Sequence, residues 1–315
     1  MKQTDRKEIL FYYESKDGAN PNGDPGFDNQ PRQLPDQTIL VTDVRLKRTI
    51  RDYAKKQGKI NFVDYNKDDK VVIAIDRVGE LVGEKFNSRN RVDPNKDYIK
   101  ELMDKTFDTN LFGAFVPVDD ETRAKKVANT LPDGGPPWYK ITGPVQFALG
   151  RSVNEVEIWH PQISAHFKGD KTTSTATLGR FWGVEYALIK FGGGINPSTI
   201  EKYFGKSFQD AEELLSDYLW DSTNELHSRS KYPQRSIFYL EVTYDGTIYN
   251  DLGNLIEDKM IGKHKKLADD PFGTDELIKK LNSRKEITEI RIRGCPELDT
   301  FCKELSIKLL KAKCI

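Results

Sequence analysis

The chemistry this sequence offers is carried by cations. Between positions 44 and 56 the basic residues Arg45, Lys47, Arg48, Arg51 and Lys55 follow one another with Asp52 as the one acid among them. At about 100° per residue the apolar Leu46, Ile50 and Tyr53 share one side of a helix. Arg48, Arg51 and Lys55 gather opposite, flanked by Arg45 and Lys47. Such a stripe can follow a sugar-phosphate backbone, and a capped helix N-terminus adds amide donors that favour an anion. A helix with one buried face also shows water a charged one, so the stripe by itself leaves both readings open. The lack of balancing Glu at helical spacing and the excess of Arg over Lys favour phosphate recognition.

Three further motifs carry weaker signals. Residues 18–25 (GANPNGDP) space Asn20, Asn22 and Asp24 as calcium ligands would be, but Pro25 stands where the sharp-turn glycine is needed and Pro31 where the closing glutamate should be. What survives is a rigid turn, or a turn whose amides meet a nucleic-acid backbone. Gly150, Arg151 and Ser152 end an apolar run with a small residue, a cation and a hydroxyl, where a chain could approach phosphate closely. The triplet 192–194 lacks the Lys-Ser/Thr ending of a phosphate loop, so no nucleotide or other cofactor is assigned. His160 and His166 have no Cys or carboxylate at ligand spacing, so no metal is assigned either. No GxSxG or similar signature arranges a nucleophile, and no catalytic residue is expected.

The elements that must hold these residues follow from periodicity. Residues 9–15 predict a buried strand, followed by a long loop and a helix over 44–57, capped by Thr42 or Asp43 and stopped at Gly58. Strands are expected at 70–78, 111–116, 141–149, 183–195, 236–244 and 287–293, and helices at 94–107, 208–226 and 299–313. Residues 117–140 form a surface insert rich in charge, Pro and Gly, and 155–181 a protruding hairpin or arm. Interleaved strands and helices without a regular repeat predict α+β with a mostly antiparallel sheet.

Composition sets the outer bounds. A chain of 315 residues with 37% hydrophobic content, 16 Phe and 13 Tyr can fill a real core. Lys plus Arg equals Asp plus Glu at 49 each, so any polyanion site must arise from local clustering. No apolar run approaches membrane-spanning length and the N-terminus lacks signal-peptide order, so a cytoplasmic protein without a membrane partner is expected. Cys295, Cys302 and Cys314 fit neither a zinc site nor a disulfide framework and read as reduced bystanders.

A family resemblance sharpens this. GANPNGDP from Gly18, NQPR from Asn29 and VTDVRLKRTIRDY from Val41 resemble the opening of the backbone subunit of type I CRISPR interference (Cascade) complexes, a CRISPR-RNA-binding member of the RAMP superfamily. TGPVQFALGRS from Thr142 is similar to that family's second signature, and TATLGRFWGVEYALIKFGGGIN and LWDSTNELHSRSK, ending at Lys231, resemble its type I-B branch. The resemblance implies one ferredoxin-like, RRM-like palm over 1–315, finger-like insertions within 59–140 and a thumb-like arm at 155–182. It implies a subunit with no chemistry of its own, stacked with neighbouring copies and other Cascade subunits along CRISPR RNA, which it holds for pairing with target DNA.

Carried over by position, Asn20, Asn22, Arg32, Arg45, Lys47, Arg48, Arg51, Gln146, Gly150, Arg151 and Ser152 would contact the guide, and so would Arg229, Lys231 and Arg235. Ile158, His160, His166, Phe167 and Phe181 would kink it. Two alternatives stay open: a metal-dependent ribonuclease like related type III subunits, using Asp24, Asp28 or Asp36, and a stand-alone RRM-like binder of short single strands. The wheel further predicts that charge reversal at Arg48 and Arg51 leaves the fold intact.

Overall fold

The computed structural model describes residues 2–66, 68–83, 98–117, 138–164, 178–246, 248–256 and 272–315. The chain forms two compact units, one made of Arg6–Thr49, Phe147–Gly194 and Trp220–Ile315, the other of Met1–Asp5, Ile50–Gln146 and Ile195–Leu219.

The first unit is built on a sheet. In chain order its elements are β1 (Asp5–Lys16), β2 (Leu40–Val41), the helix α1 that begins in this unit (Asp43–Lys56), β3 (Gly150–Ser152), β4 (Tyr186–Ile195), β5 (Gln234–Asp245), α2 (Asp275–Ser283), β6 (Ile287–Gly294), α3 (Asp299–Lys308) and β7 (Ala312–Cys314). Along the sheet they run β7-β6-β5-β1-β4-β3-β2. The pairs β5–β6, β4–β3 and β3–β2 are antiparallel, whereas β6–β7 is parallel. Lys16 N–H donates to the Pro233 carbonyl at 3.3 Å while Lys7 meets Glu241, so β1 and β5 also run oppositely.

β1 and β5 are long because β-branched and aromatic residues fill both of their faces. Ile9 to Tyr13 and Ile237 to Val242 are buried throughout. The alternation of 236–244 therefore sorts side chains between two covered faces, not between core and water. Phe272 lies 4.6 Å from Phe238 and 4.9 Å from Tyr12, ring centre to ring centre, in a cluster closed by Leu277 and Leu281 of α2 and Leu305 of α3. Such aromatic pairs contribute about 0.5–1.5 kcal/mol beyond simple burial. The buried Glu241 is matched by Lys7 Nζ at 2.8 Å and by the Tyr239 hydroxyl at 2.5 Å, as a carboxylate removed from water requires.

Several expected boundaries move. Residues 70–78 do not form a strand: a helix runs over Ala74–Val82, because Ile75, Val78 and Val82 at helical spacing find a core while Val71 stays 84% exposed. The expected 94–107 helix resolves into Tyr98–Lys105 followed by Phe107–Phe112. Gly113–Pro117 pairs with Trp138–Thr142, and the expected 141–149 strand breaks at Gly143. There the chains approach so closely that a Cβ on Gly113 would lie 2.1 Å from the Ile141 carbonyl oxygen. The 208–226 helix is likewise two helices, Lys206–Glu213 and Leu215–Asn224. The closing helix stops at Lys308, after which the chain adds β7 to the sheet. Most of the 117–140 insert lies outside the described residues. All three cysteines are free thiols.

Gly150 shows what the sheet demands of β3. A Cβ there would sit 2.4 Å from the Phe191 ring. Gly150→Ala should lower unfolding free energy by about 1–3 kcal/mol through overpacking, read as a lower midpoint in a urea titration; an unchanged midpoint would show that Phe191 moves aside freely.

Candidate nucleic-acid interface

In the sheet unit the chain leaves β1 into a loop that is pinned at once. Asp17 and Gly18 N–H donate to the Glu185 and Val184 carbonyls, each at 3.0 Å, and Gly18 takes φ +90°. A Cβ on Gly183 would lie 2.0 Å from the Gly18 carbonyl oxygen, so this crossing of two backbones requires glycine. The contact brings Phe181 and Trp182 beside the loop. A second tie, Asn20 N–H to the Ser230 carbonyl at 2.7 Å, draws in the segment after residue 227. The third wall is the start of α1, where the Thr42 hydroxyl accepts from Arg45 N–H at 3.2 Å as an N-cap.

These pieces enclose a cleft of about 450 Å³ whose wall includes Asn20, Asn22, Asp28, Arg45, Trp182 and Lys231. Lys231 Nζ donates to the Asn20 carbonyl oxygen at 2.6 Å. Burial, together with the nearby Arg45 guanidinium, pushes this ammonium from the ordinary lysine value of 10.5 down to about 7. Two cations thus share a small, partly dry space, an arrangement that an entering anion would relieve. Asn20 and Asn22 are only 4% and 6% exposed, and Asn20 Oδ1 and Asn22 Nδ2 have no hydrogen-bond partner among the described residues. The Asn20 amide is oriented by donating to the Asn29 carbonyl at 2.7 Å.

Aromatic groups border the cations. His160 stacks flat on Trp182, 3.7 Å between ring centres and 3° between planes, and the Trp182 indole N–H donates to Asp28 at 3.4 Å. Arg229 sits 5.0 Å above the Phe181 ring. Ile158 and Trp159 pair with Val184 and Gly183, and residues 162–164 pair with 178–180, so the stretch leading away from Trp182 is an antiparallel hairpin.

The residues expected to contact a guide thus separate. Asn20, Asn22, Arg45 and Lys231 line one cleft, with Arg229, Phe181 and His160 beside it. Arg48 is exposed on α1. Arg32 faces Asp24 at 3.5 Å, and Lys47, largely covered, pairs with Asp43 at 3.0 Å. Arg151 lines a second cleft of about 340 Å³ with Lys190, its cross-strand partner. Gln146 is exposed and donates to the Gly143 carbonyl at 2.9 Å. His166 and Phe167 lie outside the described residues.

Four of the expected residues have structural partners within the chain. Arg51 turns inward within the second unit, pairing with the fully buried Asp108 at 2.8 Å and lying 5.2 Å over the Phe112 ring. Asp108 also accepts from Phe62 and Val63 N–H at 2.7 and 3.1 Å, so Arg51 completes a structural carboxylate site. Ser152 is buried, accepting from Ile39 N–H at 2.8 Å and donating to the Asn154 carbonyl at 2.7 Å. Gly150 is small because of Phe191. Arg235 bridges Glu14 and Glu297 at 3.1 and 2.6 Å. Sequence reasoning missed Trp182, whose signal was an aromatic pair, Phe181 and Trp182, directly before Gly183, and Lys190, whose alternation along β4 already set it on one face.

Among the described residues no group of three or more His, Cys, Asp and Glu side chains could hold a metal ion. No helix among them is long and apolar enough to cross a membrane.

An α+β chain built this way shares its fold with a component of a solved assembly, a CRISPR RNA-guided surveillance complex in a pre-nicking state: the TM-score is 0.55 over 92% of each chain, at 11% identity. The chain belongs to the Cas7 family of CRISPR-associated proteins, whose family model matches residues 5–284. A CRISPR-associated protein Cas7 from Haloferax volcanii is 29% identical over 277 residues, covering 82% of this chain and 76% of the relative. A second CRISPR RNA-guided surveillance complex aligns over 97% of this chain with TM-score 0.45 and 12% identity.

Arg51 and Arg48 now predict opposite outcomes. Arg51→Glu sets a second carboxylate against buried Asp108 and should cost about 3–5 kcal/mol, whereas Arg48→Glu, at an exposed position, should cost no more than about 1 kcal/mol. Equal melting temperatures for the two variants would show that the Asp108 pair is dispensable.

Proposed function

We propose that this protein is the non-catalytic backbone subunit that binds CRISPR RNA in a type I Cascade complex. Neighbouring copies line up along the guide and leave its bases open for pairing with target DNA. The observation that carries this reading is the cleft in which Arg45 and Lys231 face the same small volume. A ribose-phosphate chain supplies anionic oxygens that two such cations attract. The names of the relatives, a Cas7 protein and chains of RNA-guided surveillance complexes, agree with it.

The sheet supports a ferredoxin-like palm. The elements β1, α1, β3, β4, the helices after it and β5 follow one another as β-α-β-β-α-β, and the strands lie in the order β5-β1-β4-β3. Numbered within that motif, the order is fourth, first, third, second. The hairpin beyond Trp182 is the thumb-like arm in this reading, and insertions within 59–140 are the finger. The type I-B assignment rests on the sequence blocks ending at Lys231. The ribonuclease alternative is less favoured because two of its acids are engaged: Asp24 accepts from Gly26 N–H at 3.0 Å and faces Arg32, and Asp36 accepts from Thr38 and pairs with Arg151.

Guide binding should be lost in Arg45→Glu combined with Lys231→Met, measured as RNA co-purifying with the expressed chain, while the fold persists by circular dichroism. Retention of RNA by that variant would remove the proposal's main support. The Lys231 ammonium also gives binding a pH signature. Phosphate contact raises its proton affinity, so binding takes up a proton when pH lies above about 7. Affinity should be full below that value and weaken by up to about tenfold per unit above it, until the bound lysine also titrates. Lys231→Met should flatten the profile, as measured by fluorescence anisotropy at fixed ionic strength. The free chain has the opposite dependence: a lysine depressed below 10.5 lets stability rise as pH climbs from about 7 towards that value.

A further inference from the structure

Arg151 stands between two partners of opposite kind. On one side is the cleft it shares with Lys190, Leu149, Gly192, Gly253 and Asn254. On the other is Asp36, whose carboxylate is held by the Thr38 backbone N–H at 3.2 Å and the Thr38 hydroxyl at 2.6 Å. Arg151 Nε donates to that same hydroxyl at 2.9 Å, and its outer nitrogen pairs with Asp36. The guanidinium is therefore gripped by a preformed acceptor set, one carboxylate and one hydroxyl, that resembles the oxygens of a phosphodiester in charge and spacing. Arg151 and Asp36 are 53% and 52% exposed, so neither is needed to fill the core.

We infer that Asp36 is a specificity-determining residue: an internal competitor that occupies Arg151 until a correctly seated RNA phosphate displaces it. The inference rests on Arg151 belonging to the RNA interface. A strand that also fills the Arg45–Lys231 cleft presents its next phosphate to Arg151 at high effective concentration and displaces Asp36. A loosely held polyanion does not, so selectivity rises as overall affinity falls. Arg32 and Asp24, 3.5 Å apart on the loop that lines the first cleft, repeat the arrangement. This gives the even balance of 49 basic and 49 acidic residues a use, since local acids silence cations that would otherwise attract any nucleic acid.

The hydroxyl geometry favours competition over support. Thr38 alone can orient Asp36, so loss of the carboxylate leaves the Arg151–Thr38 hydrogen bond intact. The test uses the full chain with Asp36→Asn, Arg151→Ala and the double variant, titrated with a labelled CRISPR RNA and separately with heparin, a polyanion without bases. Asp36→Asn should bind the RNA about two- to fivefold more tightly, the range of an exposed ion pair, and should gain more than that for heparin; an equal gain for both polyanions would overturn the specificity role. The double variant should match Arg151→Ala. If Asp36→Asn binds RNA equally or more weakly while Arg151→Ala weakens it, Asp36 is a support for Arg151 and the inference is wrong. If Arg151→Ala changes nothing, the inference falls with Arg151's place in the interface, while variants at Arg45 and Lys231 still report on the parent reading.

Discussion

Two cations brought into one small cleft repel each other, and burial makes the Lys231 ammonium harder to keep charged. Burial first, and the Arg45 charge second, hold the Lys231 ammonium below the ordinary lysine value, so keeping this group charged costs the folded chain free energy. A fold keeps such a feature when a ligand repays it. An anion between the two groups turns a repulsion into two charge-assisted hydrogen bonds, each stronger than its neutral counterpart. The remaining features of the cleft are consistent with that demand: the capped helix start beneath Arg45, Asn20 Oδ1 and Asn22 Nδ2 without hydrogen-bond partners among the described residues, and aromatic faces on Phe181 and Trp182.

Holding repelling groups together needs walls that do not yield. The walls are backbone: the loop after β1 hydrogen-bonds to residues 184 and 185, and the Gly18–Gly183 crossing leaves no room for a side chain. Behind it β1 is buried on both faces and tied to β5, so the loop starts from one of the most rigid strands of the sheet. The hairpin beyond Trp182 is anchored to the same crossing through the pairing of Ile158 and Trp159 with Val184 and Gly183. A displacement of the arm would be felt at the cleft through these shared residues.

The cations of α1 show how one helix divides its labour. Arg45 points to the cleft, Lys47 is bound to Asp43 one turn earlier, Arg48 is exposed, and Arg51 is consumed by Asp108. A wheel treats Arg48 and Arg51 as neighbours on one face because it knows only angle. Asp108 lies 57 residues beyond Arg51, and no local pattern announces a buried carboxylate at that distance. The same limit explains Ser152 and Gly150, whose residue types suggested phosphate contact but whose partners, Ile39 just before β2 and Phe191 on β4, are distant in the chain.

The sequence by itself determined the four long strands of the sheet, the capped helix with Leu46 and Ile50 inward, the glycine punctuation, and, through its ordered motif blocks, the family. These are local: propensity, period and capping act within a few residues of one another. Only the tertiary structure decided which cation meets a carboxylate and which meets solvent, that the apolar run after residue 70 becomes a helix, and that Lys231 lies beside Asn20 across 211 positions of chain. Electrostatic partnership and burial depend on separation in space, and a sequence records only separation along the backbone.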